Sequence, residues 1–79
     1  MIAGSDLSAE ETVLRHEREA AIRKALLELP EIYREAIVLC DIEGLTYDEI
    51  AAALEINIGT VKSRIARGRD ELRKRLKGF

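Results

Sequence analysis

Lys62, Ser63, Ala66 and Arg67 recur at the spacing i, i+1, i+4 and i+5, which sets four side chains on one side of a helix. Arginine can present two parallel donors to a guanine edge, and serine can donate or accept at a base or a phosphate. A hydroxyl, a small residue and an arginine in the first half of a helix fit insertion into a major groove. Just ahead of them, the Gly59 and Thr60 amides and the Thr60 hydroxyl suit a phosphate at a helix N-terminus. Arg64, Arg69 and Arg73 flank this side, with Lys74 further along it. Residues 62–79 hold eight basic and two acidic side chains, a net of +6, whereas residues 1–61 hold five basic and thirteen acidic, a net of −8. The whole-chain charge of −2 conceals this split. Attraction to a polyanion acts over a Debye length of about 8 Å, not over a chain average. A helix dipole favours cations only within the last turn. The plainer alternative, an amphipathic surface helix with a solvated basic face, is weighed down by what precedes it.

The periodicity is helical throughout, with no alternating run long enough for a strand. Residues 1–7 read as a loose leader. Ser8 and Glu11 have capping-box spacing and open a first helix over 8–28, with Val13, Leu14, Ala20, Ala21, Leu26 and Leu27 as its apolar positions. The apolar signal is weak before Ala20. Pro30 opens a second helix over 30–42, since proline is tolerated in a first turn and breaks an interior. Tyr33, Ala36, Ile37 and Cys40 share one face of it, with Ile32 and Leu39 beside them, and Gly44 ends it as a C-cap. Thr46 and Glu49 form a second capping box for a third helix over 46–54. Residues 55–57 make the turn, and Asn57 caps a last helix over 58–77.

Ile50, Ala51 and Leu54, then Ile56 in the turn, then Val61, Ile65, Leu72 and Leu76 are placed as in two helices crossing through a short turn over one core. Gly68 falls on this apolar stripe. A glycine inside a helix costs about 1 kcal/mol relative to alanine, so close approach of a neighbour is its reason for being there. The expectation is an all-α, compact four-helix domain over 8–79, with a helix-turn-helix over 46–77 and no wing.

Other functions find little support. No stretch approaches the ~20 apolar residues of a membrane span, and no signal peptide opens the chain. One cysteine neither staples the fold nor completes a zinc site, which points to a reduced, cytoplasmic setting. His16 sits among Arg15, Glu17 and Arg18 on a polar stretch, and Cys40 lies on an apolar face as a core residue. With no nucleophile–base pair, phosphate-cradling loop or metal-spaced cluster, the sequence predicts no enzyme, no metal and no cofactor. Phe79 either caps the core or hangs free.

The run LPEIYREAIVLCDIEGLTYDEIAAAL followed by INIGTVKSRIARGRDELRKRL resembles region 4, the C-terminal promoter-binding domain of bacterial sigma factors. It is most similar to the extracytoplasmic-function (ECF) group of the sigma-70 family. The likeness covers Leu29 to Leu76, and more loosely the first helix. It implies that residues 46–76 read the promoter −35 element. By position, Lys62, Ser63, Ala66 and Arg67 match the family's base-facing residues. Thr60, Arg64 and Arg69 match backbone-contacting or flanking positions, and Tyr47 sits where the third helix can approach phosphate. The resemblance also implies docking to the β-subunit flap of RNA polymerase and sequestration by an anti-sigma factor, for which the acidic, apolar first half is the available surface.

Three departures qualify it. Glu55 stands in the turn where glycine with positive φ is common. Cys40 stands where related sequences often carry an arginine near the DNA backbone. The 79 residues leave no room for region 2, so the expectation is an excised domain or a stand-alone relative. Two other readings remain open from sequence: the effector domain of a LuxR-type regulator, whose helix-turn-helix also carries a TVK segment, and a protein-interaction module with incidental DNA affinity.

Overall fold

The computed structural model describes residues 9–77. Within them the chain forms α1 (Ala9–Glu28), α2 (Glu31–Ile37), α3 (Tyr47–Leu54) and α4 (Ile58–Arg75), and no strand. The expected capping box of the first helix involves Ser8 and lies outside the described residues, as does Phe79.

The second helix is not one continuous α-helix over 30–42. From Val38 to Ile42 it widens into a π-helical turn. The Glu43 amide donates to the Val38 carbonyl at 2.9 Å, and the Leu45 amide donates to Leu39 at the same distance. Gly44, at φ +76°, takes the left-handed conformation that lets the chain turn back under this last coil. Such wide turns insert one residue into the helical register, which apolar periodicity alone does not reveal.

α3 and α4 form the helix-turn-helix. The Thr46 hydroxyl accepts from the Glu49 amide at 3.1 Å, and the Glu49 carboxylate accepts from the Thr46 amide at 2.8 Å. That reciprocal pair satisfies two donors left open at the start of α3. Holding it ionised depresses the pKa of Glu49, first through the Thr46 amide and then through the Thr46 hydroxyl. Glu55 ends α3 at φ 57°, ψ 45°, the left-handed conformation that the helix-turn-helix spacing demands. The Asn57 side chain then caps α4, accepting from the Thr60 amide at 2.8 Å.

The core is small. Leu26 near the end of α1 and Leu29 just after it, Ala36 and Ile37 from α2, Ile50 from α3, and Val61 and Ile65 from α4 are buried together. Ile50 and Val61 are wholly inaccessible to solvent. A fully buried side chain of this size contributes about 1.5–3 kcal/mol, so these few residues decide how α3 and α4 cross. Leu72 and Leu54 pack against the cluster from its edge. Gly68 is buried as well, and a Cβ there would stand 2.8 Å from Ile37 Cγ1 and 3.3 Å from the Tyr33 carbonyl oxygen. The close approach expected of this glycine is thus an approach to α2.

α1 departs most from its expected packing. Only Ala25 and Leu26 in it are buried. Val13 and Leu14 are about half exposed, and Leu27, expected among the apolar contacts, is 69% exposed. The same holds for Ile32, which faces outward at the start of α2. The radius of gyration, 15.5 Å, exceeds the roughly 12 Å of a compact chain of this length, because α1 runs out past the core. Its inner end is tied down by polar contacts. One Arg34 nitrogen donates to the carbonyls of Leu27 and Leu29 at 3.2 Å each, and Arg75 Nε lies 3.8 Å from Glu28.

Candidate nucleic-acid interface

With Val61, Ile65 and Gly68 turned into the core, the opposite side of α4 must face outward. Lys62, Ser63, Ala66 and Arg67 are all exposed there, in the first three turns of an 18-residue helix about 27 Å long. Asn57 capping and the Gly68 contact fix where this helix begins and how closely it lies on α2. The four side chains therefore form one pre-arranged surface. Arg67, 62% exposed, reaches back to Glu71 at 3.6 Å, and Ser63 donates to the Thr60 carbonyl at 3.2 Å. Both contacts lie within the helix and at its surface, where an exposed ion pair is worth about 0–1 kcal/mol. Each is a single contact, which a base edge or phosphate can displace.

The flanking residues divide. Arg64 is half-buried on the side of α4 nearer the core, and Thr60 is half-buried in the first turn. The Thr60 amide, expected to be open to phosphate, is already occupied by Asn57. Tyr47 begins α3 and packs against the edge of the core. Further along, Glu71 gathers Arg67, Lys74 and Arg75. These cations, Arg75 foremost through its hydrogen bond, hold the Glu71 carboxyl below its ordinary range. Asp70 pairs with Lys74 at 3.3 Å and with Arg73 at 3.9 Å.

Arg69, expected at a backbone-contacting or flanking position, is paired within the chain. Its guanidinium grips Asp41 with two nitrogens, Nη2 to Oδ1 at 2.6 Å and Nε to Oδ2 at 3.2 Å, and Nη2 lies 3.7 Å from Cys40 Sγ. The bond lowers the pKa of Asp41 and raises that of Arg69. Burial, followed by the charge of Asp41, pushes the Cys40 thiol up, the reverse of what a reactive cysteine needs. Asp41 was not among the residues that spacing singled out. It sits 28 positions from its partner, in the π turn that periodicity did not disclose.

Residues 19–72 match the family described as sigma-70, region 4. The chain belongs to that family. The matched segment of this region 4 chain contains Tyr47, Thr60, Lys62, Ser63, Arg64, Ala66, Arg67 and Arg69, and Arg73 and Lys74 lie just beyond it. It is 57% identical over 54 residues to the ECF RNA polymerase sigma factor SigE of Mycolicibacterium smegmatis, a match covering 68% of this chain and 21% of that protein. To the ECF RNA polymerase sigma factor SigW of Bacillus subtilis it is 42% identical over 76 residues, 96% of this chain and 41% of the relative. Among solved structures, the sigma factor RpoE in complex with the anti-sigma factor NepR from Bartonella quintana superposes with a TM-score of 0.69 at 42% identity, covering 72% of this chain and 36% of that one. Region 4 here thus spans between about a fifth and two fifths of the length of these curated relatives.

Among the described residues, no group of histidine, cysteine, aspartate or glutamate is arranged to hold a metal ion, and no helix is long and apolar enough to cross a membrane.

Proposed function

We propose that this region 4 domain, over residues 8–79, reads the −35 element of double-stranded promoter DNA for an alternative sigma factor of the ECF group. In this reading Lys62, Ser63, Ala66 and Arg67 face the bases, Thr60 and Arg64 flank them at the backbone, and Tyr47 approaches a phosphate at the start of α3. The observation that carries it is the outward face of α4. It is polar, exposed and held by internal surface contacts alone, on a helix whose other side is locked into the core of a helix-turn-helix. Arginine at a guanine edge and serine at base or phosphate supply direct readout. No catalytic step and no cofactor belong to this function, which is exercised in the cytoplasm.

The same domain docks RNA polymerase, through the flap of its β subunit, and is held by an anti-sigma factor when inactive. An open apolar groove lined by Arg34, Glu35, Val38, Leu39 and Leu54, between α2 and α3, offers the protein-binding surface that such partners require.

Fluorescence anisotropy with a −35-containing duplex and a scrambled duplex, at several salt concentrations, tests the DNA reading. A preference for the promoter duplex that persists as salt rises is expected. Equal affinity for both at every salt concentration would refute it. The isolated contact is small, since a single module buries about 600–1,000 Å², so low salt is the place to begin.

A further inference from the structure

Arg69 stands seven residues beyond Lys62, two turns and about 10 Å further along the same edge of α4. Its partner is unlike those of its neighbours. Arg67, Arg73 and Lys74 pair with Glu71 and Asp70 of their own helix. Arg69 is held by Asp41, a carboxylate of a different element, through two nitrogens at once. Both side chains remain open to solvent, at 47% and 40%, so the pair is accessible to a phosphate from outside the chain.

We infer that Asp41 is an internal competitor for DNA phosphate: by gripping the Arg69 guanidinium it keeps that cation out of the phosphate-contacting set. This rests on the reading of α4 as a DNA-binding helix. The chemistry is that of one fork and two claimants. A guanidinium offers its parallel N–H groups to a carboxylate or a phosphate in the same bidentate geometry. The carboxylate is tethered in the folded chain, while the phosphate must be brought from solution. Paired with Asp41, Arg69 contributes no net charge at this edge and releases no counterion from the duplex. Asp41 thereby sets the sequence-independent part of the affinity. It acts through Arg69 and is a positioning residue.

The test measures the affinity of the 79-residue chain for promoter and scrambled duplexes against salt, in the native protein, Asp41→Asn, Arg69→Gln and the double variant. Asp41→Asn is expected to tighten both duplexes by the same factor. Its slope of log K against log salt should steepen by about 0.9, so that raising salt from about 50 to about 200 mM weakens it roughly three- to fourfold more than the native chain. In the Arg69→Gln background the same substitution should leave the slope where it was. An unchanged slope in Asp41→Asn overturns the inference. So does a gain that survives in the double variant, since it would then be a long-range effect of removing one negative charge. A loss of affinity in Asp41→Asn would overturn it too, by making Asp41 a brace that aims Arg69 at phosphate. A measurement on the native chain stands beside these. The Arg69 Nε–H resonance should keep its position when duplex is added, and a shift on titration means that phosphate has displaced Asp41. The preference between duplexes is a ratio that Asp41→Asn leaves alone. Absence of preference would therefore count against the −35 reading, while the slopes decide the role of Asp41.

Discussion

Gly68 of α4 lies so close to Ile37 of α2 that a methyl group at position 68 would stand 2.8 Å from Ile37 Cγ1. Ile37 is only 2% exposed, and the Tyr33 carbonyl closes the remaining space at 3.3 Å, so neither neighbour has room to yield. Gly68→Ala should therefore destabilise the domain even though alanine is the better helix former. Overpacking of this kind costs about 1–3 kcal/mol, against a helix-propensity gain of about 1. A net loss of about 1 kcal/mol is expected in urea unfolding followed by circular dichroism; an unchanged or higher midpoint would mean that the contact is softer than the distance implies.

Glu55 is the converse case. Its backbone is left-handed at φ 57°, a conformation costing a non-glycine residue roughly 1–2 kcal/mol, and its side chain is exposed. Glu55→Gly should stabilise the turn by about 0.5–1 kcal/mol once the greater freedom of glycine in the unfolded chain is subtracted. Thermal melts of the two proteins decide the sign.

Arg67→Ala should cost about 1–3 kcal/mol on the promoter duplex and relax the preference at one base pair, leaving scrambled DNA much less affected. Lys74→Ala, four turns along the helix from its start, should weaken all sequences alike. Competition titrations against duplexes altered one base pair at a time separate the two behaviours.

The Arg69 hydrogen bond holds the Asp41 carboxyl below its ordinary value of 3.8. The folded chain therefore binds fewer protons than the unfolded chain near that pH. The stability this supplies is fully present above 3.8 and is lost as pH falls through the lower folded value. Because both partners are more than a third exposed, solvent screening limits its contribution to folding to about 1 kcal/mol. The melting temperature should be flat from about pH 7 to about pH 5 and fall below about pH 4. Asp41→Asn should shallow that acid limb without abolishing it, since Glu49 and Glu71 are depressed in the same direction.

The helix-turn-helix was legible because its signals are local. The Thr46–Glu49 box, the Asn57 cap and the Val61–Ile65–Gly68 stripe each lie within a turn or two of sequence, and the structure realises all of them. The family resemblance rested on Leu29 to Leu76, which includes this stretch, and the family match over residues 19–72 covers all but the last four of those residues. What depended on distant partners was not legible. Whether Leu27 is covered depends on what the rest of the chain folds against it. Arg69 and Asp41 meet across 28 positions, through a π turn that shifts the register by one residue. Arg69 therefore read as one more basic residue of a basic helix, and only its geometry sets it apart from Lys62.

α1 carries no buried residue before Ala25, sixteen residues into its length. From Ala9 to Ala20 every residue but Thr12 is exposed, so these outer turns gain little of the packing from which most helical stability in proteins comes. A partner that grips the outer turns of α1 must therefore fix their conformation as it binds, whereas the face of α4 has its shape beforehand. Contacts made through α1 should accordingly yield less affinity for the surface they cover. On one small chain, α4 is suited to recognising a sequence and α1 to being let go.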